Sequence, residues 1–430
     1  MINQVCYRGI DQPEPWTLAS YQKLGGYQVW QKILSGQLNH DDCLEQVKTS
    51  QLRGRGGAGF LTGIKLGFMQ RSKPGQKYLV CNSDEGEPGT CKDGLILQDN
   101  PHQVLEGMLI AAWLIGADVI YNYMRGEFLI QYERMEAAVR EATEAGFLGQ
   151  KGQSNGSQFI CHQILGAGAY IVGEETAMLE SLEGKRAYPR FKPPFPAQHG
   201  LYGCPTTVSN TETLASLPVI LATSGQAFSS QAKTEGGTKI FCLSGHVKTP
   251  CVVEVPLGLT FEALLNYAGG MRSDAKVKAV IPGGSSMKVL TGEEVKGLVF
   301  DYDSLQKAGS ALGTGAIIVM DEHTCMVDAL LNIMHFYDEE SCGQCTPCRE
   351  GSGWVYRSLK QIKAGKYVDL DALIKINQQV EGRTICAFGE AFTWPVTSFI
   401  TKFRSEFEYF MKHGTSQVKT AHLGMSWGTV

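Results

Sequence analysis

The sequence has no apolar run long enough to cross a bilayer. Its longest, around Met108 to Ile115, falls far short of the roughly 20 residues a membrane helix needs. Any membrane association is therefore expected to come through partners. Nor is there a surplus of one charge: 39 Lys and Arg against 43 Asp and Glu leave a formal net charge of −4. A sequence-independent grip on nucleic acid is excluded on that ground. The opening Met1-Ile2-Asn3-Gln4-Val5 shows neither a basic segment nor an apolar one, so no secretory signal is expected. A complete disulfide framework is missing too, because 13 Cys cannot all pair. In the reducing cytosol, the expected setting, clustered cysteines read as metal or catalytic sites.

What is present is a chain of 430 residues, enough for several domains, with an ordinary apolar content and an unusual 50 Gly. The glycines concentrate in Arg53-Gly54-Arg55-Gly56-Gly57-Ala58-Gly59-Phe60-Leu61-Thr62-Gly63-Ile64-Lys65. Such a loop can turn sharply and present successive N–H groups to an anion. Arg53, Arg55 and Lys65 add positive charge, and Phe60 and Phe68 offer faces to a flat ring. The reading is a cradle for phosphates joined to an aromatic base: a nucleotide, a flavin, or both. A plain basic linker is the competing reading. The stretch follows an apparent helix at Cys43 to Lys48, so it is not the first turn of an ordinary dinucleotide fold, which follows a strand.

Residues 1–48 read as a leader with a modest helix, packing on the main body. In 49–236, strands at Lys77–Asn82, Asp118–Tyr121 and Gln158–His162 alternate with helices from Pro101 and over Phe128–Ala145. That alternation predicts a parallel sheet, with ligands beyond the carboxyl ends of the strands. The first strand delivers Asn82, Asp84, Glu85 and Glu87 there. The third delivers a second glycine loop, Gly166 to Thr176, with Gly173, Glu174, Glu175 and Thr176 entering a helix. Carboxylates suit hydroxyls of a ribose or ribityl chain better than phosphate. The plainer reading of each acid alone is a solvated loop or a helix cap. A proline-rich loop at 188–205 carries Lys192 and Phe195 as a possible wall of the cleft, and Asn210-Thr211 open a further helix. Residues 237–325 read as a small α+β domain and 326–430 as helical apart from one cysteine loop.

That loop, Ser341-Cys342-Gly343-Gln344-Cys345-Thr346-Pro347-Cys348-Arg349-Glu350, sets three thiolates in a short turn. Cys386 is the only later cysteine and completes four ligands for a [4Fe–4S] cubane. Structural zinc is the rival, although it usually shows two separated pairs. The other nine Cys lack ligand spacing.

Taken together, RGRGGAGF at 53–60 with Lys65, CNSDEGEPGTCKD at 81–93, GEETA at 173–177, KPPFPA at 192–197 and SCGQCTPCREG at 341–351 with Cys386 carry a resemblance. The chain resembles the flavin- and NADH-binding subunit of respiratory complex I, the proton-pumping NADH:quinone oxidoreductase, from about residue 20 to 425. The resemblance implies a Rossmann-like flavin domain, a ubiquitin-like (β-grasp) domain and a helical bundle holding the cluster. It implies FMN, NADH and one [4Fe–4S] cluster as cofactors. FMN is then expected on Gly54, Arg55, Gly56, Lys65, Asn82, Asp84, Glu85, Gly173, Glu174, Asn210 and Thr211, within the glycine loops that also hold Arg53, Gly57, Gly59, Gly63 and Thr176. The adenine of NADH is expected on Phe60, Phe68 and Phe195, with Glu87, Glu175, Lys65 and Lys192 on ribose or phosphate oxygens. Acids near the ribose favour NADH over NADPH. The implied partners are a thioredoxin-like [2Fe–2S] subunit and a larger iron–sulfur subunit. The implied place is the cytoplasm, at the inner face of the cell membrane through those partners. Leu61, Leu66, Gly94 and Ser209 depart from the family pattern. Two other readings stand beside this one: the diaphorase subunit of a soluble NAD-linked hydrogenase or formate dehydrogenase, and a structural subunit without cofactors.

Overall fold

The computed structural model describes residues 2–69, 71–149, 158–234 and 236–418; the end of the expected bundle, 419–430, lies outside them. The first sheet has four strands, β1 (Tyr78–Ser83), β2 (Val119–Met124), β3 (Ile160–Leu165) and β4 (Thr206–Asn210), all parallel, in the order β3-β2-β1-β4. The chain steps outward from β1 to β3, then returns to the far side of β1. That reversal makes a crevice beyond the carboxyl ends of β1 and β4, where open α/β sheets bind ligands. The sequence reading lacked β4. Its Thr206-Thr207-Val208-Ser209 is polar, yet all four residues are buried, because Thr and Val suit a pleated ladder. The third strand also begins two residues later than expected and runs to Leu165.

Helix Pro101–Ile115 joins β1 to β2 and is buried at every position. Pro101 stands at its start, where no N–H partner is needed, and Gly116 ends it in the left-handed region. It lies against helix Thr211–Ala222 so closely that a methyl at Gly107 would collide with the Leu214 carbonyl. The leader holds three helices where one was expected: Leu18–Lys23, Gln28–Leu34 and His40–Thr49. The buried Glu106 carboxylate fastens it, accepting from the N–H groups of Tyr27 (2.9 Å) and Trp30 (3.2 Å) and from the Tyr21 hydroxyl.

The second unit is a mixed sheet of β5 (Thr238–Gly245), β6 (Cys251–Pro256), β8 (Val277–Ile281), β9 (Leu290–Thr291) and β11 (Ala316–Asp321), ordered β6-β5-β11-β8-β9. A short ribbon of β7 (Leu259–Thr260) and β10 (Val299–Phe300) flanks it. The parallel pairing of β5 with β11 at the centre, between antiparallel neighbours, fits the β-grasp expectation. Among the described residues five helices follow: Met326–Glu340, Thr346–Lys363, Leu370–Val380, Phe388–Lys402 and Arg404–His413. Their core is continuous with Val80, Tyr123 and Val208 on one face of the first sheet. The bundle is thereby set directly over the crevice.

Candidate functional site

A cavity of about 530 Å³ opens beyond β1 and β4. Gly56, Gly57 and Ala58 form one side; Asn82 to Glu87 and Asn210 come from the strand ends; Gly173 and Glu174 from the second glycine loop. Gly283, Ser286 and Thr314, from loops of the second unit, close another side, and Cys386, Ala387 and Phe388 of the bundle another. All three units therefore wall one space, of the size ligand cavities have.

The glycine loop runs from helix His40–Thr49 to helix Thr62–Gly67 and is pinched by Gly54 N–H donating to the Phe60 carbonyl at 2.7 Å. Gly57 holds φ +124°, which a side chain rarely adopts, and a methyl there would meet only Thr314 at 3.9 Å. Gly63 serves packing instead: a methyl would stand 2.8 Å from the Lys48 backbone. Gly59 faces the Tyr302 ring in the same way. The arginines turn away from the cavity. Arg55 donates to the Thr238 carbonyl (2.7 Å) and the Tyr302 hydroxyl (3.0 Å), and Arg53 sits over the Tyr302 ring beside Asp303. The expectation of positive charge around the loop is corrected here, since the second unit supplies these guanidiniums with carbonyls and an aromatic face.

Beyond β1 the acids divide. Glu85 caps helix Asp93–Asp99, accepting from the N–H groups of Lys92, Asp93 and Gly94 at 2.7 to 3.0 Å. Glu87 is taken up by Tyr170 Oη (2.7 Å) and by the N–H and hydroxyl of Ser286 (both 2.8 Å), so it ties the loop to the second unit. Burial raises the proton affinity of both carboxyls. Asp84 lines the cavity, and burial, with Glu127 and Glu340 and against Arg125, pushes its carboxyl up to about 7. Asn82 donates to the Gly173 carbonyl at 2.8 Å. Thr211 and Thr176 are buried in local hydrogen bonds, Thr211 with Ser83 and Asn82, Thr176 with Glu174 and Arg190.

Behind this wall lies a charge network. Lys92 Nζ is 2.8 Å from Asp93 and 3.0 Å from Glu212, which also accepts from Lys239 at 2.7 Å. Asn210 donates to Asp93 at 2.8 Å and caps helix Thr211–Ala222. Burial alone would raise the Glu212 carboxyl, but Lys239 and Lys92 outweigh it and hold it at about 2. Lys239, buried beside two other cations, falls to about 8.

At the mouth, Lys192 bridges Glu174 (2.8 Å) and Glu175 (3.0 Å), and Lys65 approaches Glu175 at 3.4 Å. Glu174 also caps helix Glu175–Leu182. The rings expected on the adenine stay exposed, Phe60 at 50%, Phe68 at 58% and Phe195 at 54%, as does Phe191 beside Lys192, and the Phe60 and Phe68 rings are 5.9 Å apart. An exposed aromatic face of this kind is one that a flat ligand can stack on.

The four bundle cysteines converge: Cys342, Cys345 and Cys386 each act on the Cys348 thiol. Burial pushes Cys348 and Cys386 up to about 12, a cost that bound metal offsets by taking the thiolate. Among the described residues, no three His, Cys, Asp or Glu are set to hold a single metal ion. Four cysteine thiols are the donor set that a [4Fe–4S] cluster takes. Cys386 also feels Glu174 across the cavity wall.

Three family models match the chain: the Nuo51 FMN-binding domain over residues 47–219, an SLBB domain over 240–290 and the NADH-ubiquinone oxidoreductase-F iron-sulfur binding region over 328–410. The F subunit of the NADH-quinone oxidoreductase of Rickettsia conorii is 48% identical over 402 residues, 92% of this chain and 94% of its own. The F 2 subunit of the same enzyme in Rhizobium meliloti is 46% identical over 411 residues, 95% and 97% of the two chains. This chain belongs to the family of NADH-quinone oxidoreductase F subunits. Among solved structures, the NAD+-reducing [NiFe]-hydrogenase in its H2-reduced state superposes with a TM-score of 0.82 at 32% identity. That match covers 90% of this chain, which spans 65% of the hydrogenase chain.

The cavity's strand-end and glycine-loop walls fall in the FMN-binding match, and all four cysteines fall in the iron–sulfur match. The zinc alternative is thereby overturned. Sequence reasoning gave no role to Lys92, Asp93 or Tyr170, which line the cavity. The signal for the first two was a Lys-Asp pair directly before an apolar helix, where opposite charges are buried only together.

Proposed function

We propose that this chain is the NADH-oxidising subunit of a membrane-associated NADH:quinone oxidoreductase. The observation that carries the reading is that Cys386 and its neighbours Ala387 and Phe388 wall the same cavity as Gly56, Gly57 and Asn82. A cluster ligand thus borders the flavin space, with no intervening layer of protein. When bound, FMN accepts a hydride's two electrons from NADH and the iron–sulfur cluster takes them on singly.

The residues present fit that pair of groups. Gly56 and Gly57 would let the backbone approach FMN, because the space beside Gly57 is open toward Thr314. Asp84, whose carboxyl lines the cavity, would accept from a ribityl hydroxyl, with Asn82, Asn210 and Lys92 as neighbouring polar groups. Glu85, Glu87, Arg53 and Arg55 act as positioning residues, since their polar atoms are already engaged by the protein. Phe60, Phe68 and Phe195 would stack on the adenine. Lys65, Glu175 and Lys192 at the mouth would meet ribose and phosphate oxygens, and the carboxylates there would repel the extra phosphate of NADPH. Cys342, Cys345, Cys348 and Cys386 would hold the cluster. No side chain is needed as a general acid or base.

The name its relatives carry is that of one component of a larger enzyme, which implies partner subunits. We infer that these are a thioredoxin-like [2Fe–2S] subunit and a larger iron–sulfur subunit. Among the described residues, no helix is long and apolar enough to cross a membrane. The chain would reach the inner face of the cell membrane through its partners. The hydrogenase likeness supports the diaphorase alternative at 32% identity, against 48% for the quinone oxidoreductase relative.

Steady-state oxidation of NADH by the FMN-loaded chain, with an artificial one-electron acceptor, tests the reading. Turnover with NADH and far less with NADPH is expected. A flavin-loaded chain that ignores NADH would refute it. Co-purifying subunits separate the quinone enzyme from the diaphorase.

A further inference from the structure

The loop after β1 carries a feature that neither the cavity nor the charge network uses. Cys91 is exposed on it, and Cys242 of β5 is buried. The Cys91 N–H points at Cys242 Sγ, 3.4 Å away, which brings the two cysteines side by side. The loop is firmly seated around them. A methyl at Gly89 would stand 3.4 Å from Ala316, which is the ladder partner of Cys242. Thr90 Oγ1 lies 2.7 Å from Thr314 Oγ1. The pair therefore joins two units across a sequence separation of 151 residues, with one cysteine exposed and the other buried. Their acidities are split in the same sense. The hydrogen bond from Cys242 lowers the Cys91 thiol, while that bond and burial raise Cys242. An exposed cysteine beside a buried one suits an attacking and a resolving pair, and the acidities agree.

We propose that Cys91 and Cys242 form a reversible disulfide in response to hydroperoxides, clamping the loop that holds Asp84, Lys92 and Asp93 onto the β-grasp sheet. The Cys91 sulfur attacks the peroxide O–O bond; an S–O bond forms, the O–O bond breaks and water leaves with the thiol proton. The Cys242 sulfur then attacks Cys91; the S–S bond forms, the S–O bond breaks and a second water carries off the Cys242 proton. Two thiols are oxidised and hydrogen peroxide is reduced to two waters. A dithiol reductant reverses the bond by exchange.

The test treats the full chain, loaded with flavin and cluster, with hydrogen peroxide. Free thiols are then alkylated and the unreduced peptides mapped by mass spectrometry. A Cys91–Cys242 linked peptide is expected, abolished by dithiothreitol, together with a raised thermal midpoint of the oxidised form. Cys91→Ser, an exposed change that leaves the fold alone, should lose the linked peptide and keep Cys242 as a thiol. Cys242→Ala should strand Cys91 as a sulfenic acid that dimedone captures. Wild-type Cys91 that accumulates as unlinked sulfenic or sulfinic acid, links to a second chain, or stays reduced would overturn the proposal.

Discussion

Lys92 Nζ lies 3.0 Å from Glu212 Oε2, and only 1% and 2% of these side chains are exposed. With Asp93, Glu85, Lys239 and Arg55 they form a buried, charge-balanced group that joins helix Thr211–Ala222, the loop after β1, the glycine loop and β5 beneath the cavity. Burying such charges is costly, and removing one partner leaves another uncompensated. Lys92→Ala should therefore destabilise the protein by about 3–5 kcal/mol, read by denaturant unfolding. Lys185→Ala, which breaks an exposed bridge to Glu183, should leave the unfolding midpoint where it is.

Asp84 gives the cavity a pH dependence. Its carboxyl is raised by burial to about 7, against about 3.9 in an unfolded chain. Between these values the native state binds more protons than the unfolded state, so this group's contribution to stability falls as pH rises. Asp84→Asn removes that slope. In flavin-free protein the variant should gain stability over wild type by roughly 1–3 kcal/mol between pH 4 and pH 8. Thermal midpoints of both proteins across that range check it, and parallel curves would show that Asp84 titrates normally.

The exposed trio Phe60, Phe68 and Phe195 should affect NADH and not the flavin. Phe195→Ala should raise KM for NADH about tenfold, the worth of one aromatic stacking contact. Flavin content and kcat should stay near wild type. A loss of flavin would place Phe195 against the other ligand.

Gly57 tests the cradle. Its φ of +124° strains any side chain, and the added methyl would enter the space beside Thr314. Gly57→Ala should lower flavin affinity at least about tenfold, for a cost on the order of 1–2 kcal/mol. Fluorescence titration of the apoprotein with FMN reads the change. Gly36→Ala, also at positive φ but with nothing within 4 Å, should cost stability and leave flavin binding alone.

Much of this arrangement was legible in the sequence, and the parts that were not share a cause. The alternation of strands and helices from Lys77 to His162 pointed to a parallel sheet, and the CxxCxxC loop with Cys386 marked the cluster. Strand β4 escaped because Thr206-Thr207-Val208-Ser209 has no apolar run, and its burial depends on β1 beside it. Arg53, Arg55, Glu85 and Glu87 have the right charges near the right loop. Where each charged end points is decided by Tyr302, Ser286 and the start of helix Asp93–Asp99, which lie far off in sequence or emerge only on folding. The plainer reading of an acid as a helix cap holds for Glu85 and Glu174. Phe60, Phe68 and Phe195 were singled out in the sequence, and the fold adds that all three are exposed.

The most direct measurement is an anaerobic titration of the loaded protein with NADH, following flavin absorbance and the iron–sulfur electron paramagnetic signal in the same samples, for wild type and Cys386→Ser. Wild type should need about 1.5 NADH per flavin to lose its flavin absorbance and develop the reduced-cluster signal, since two electrons go to the flavin and one to the cluster. Cys386→Ser should bleach with about one NADH per flavin, the two electrons of one hydride, and show no cluster signal. Wild-type flavin that ignores NADH, or that bleaches as readily with NADPH, would contradict the account.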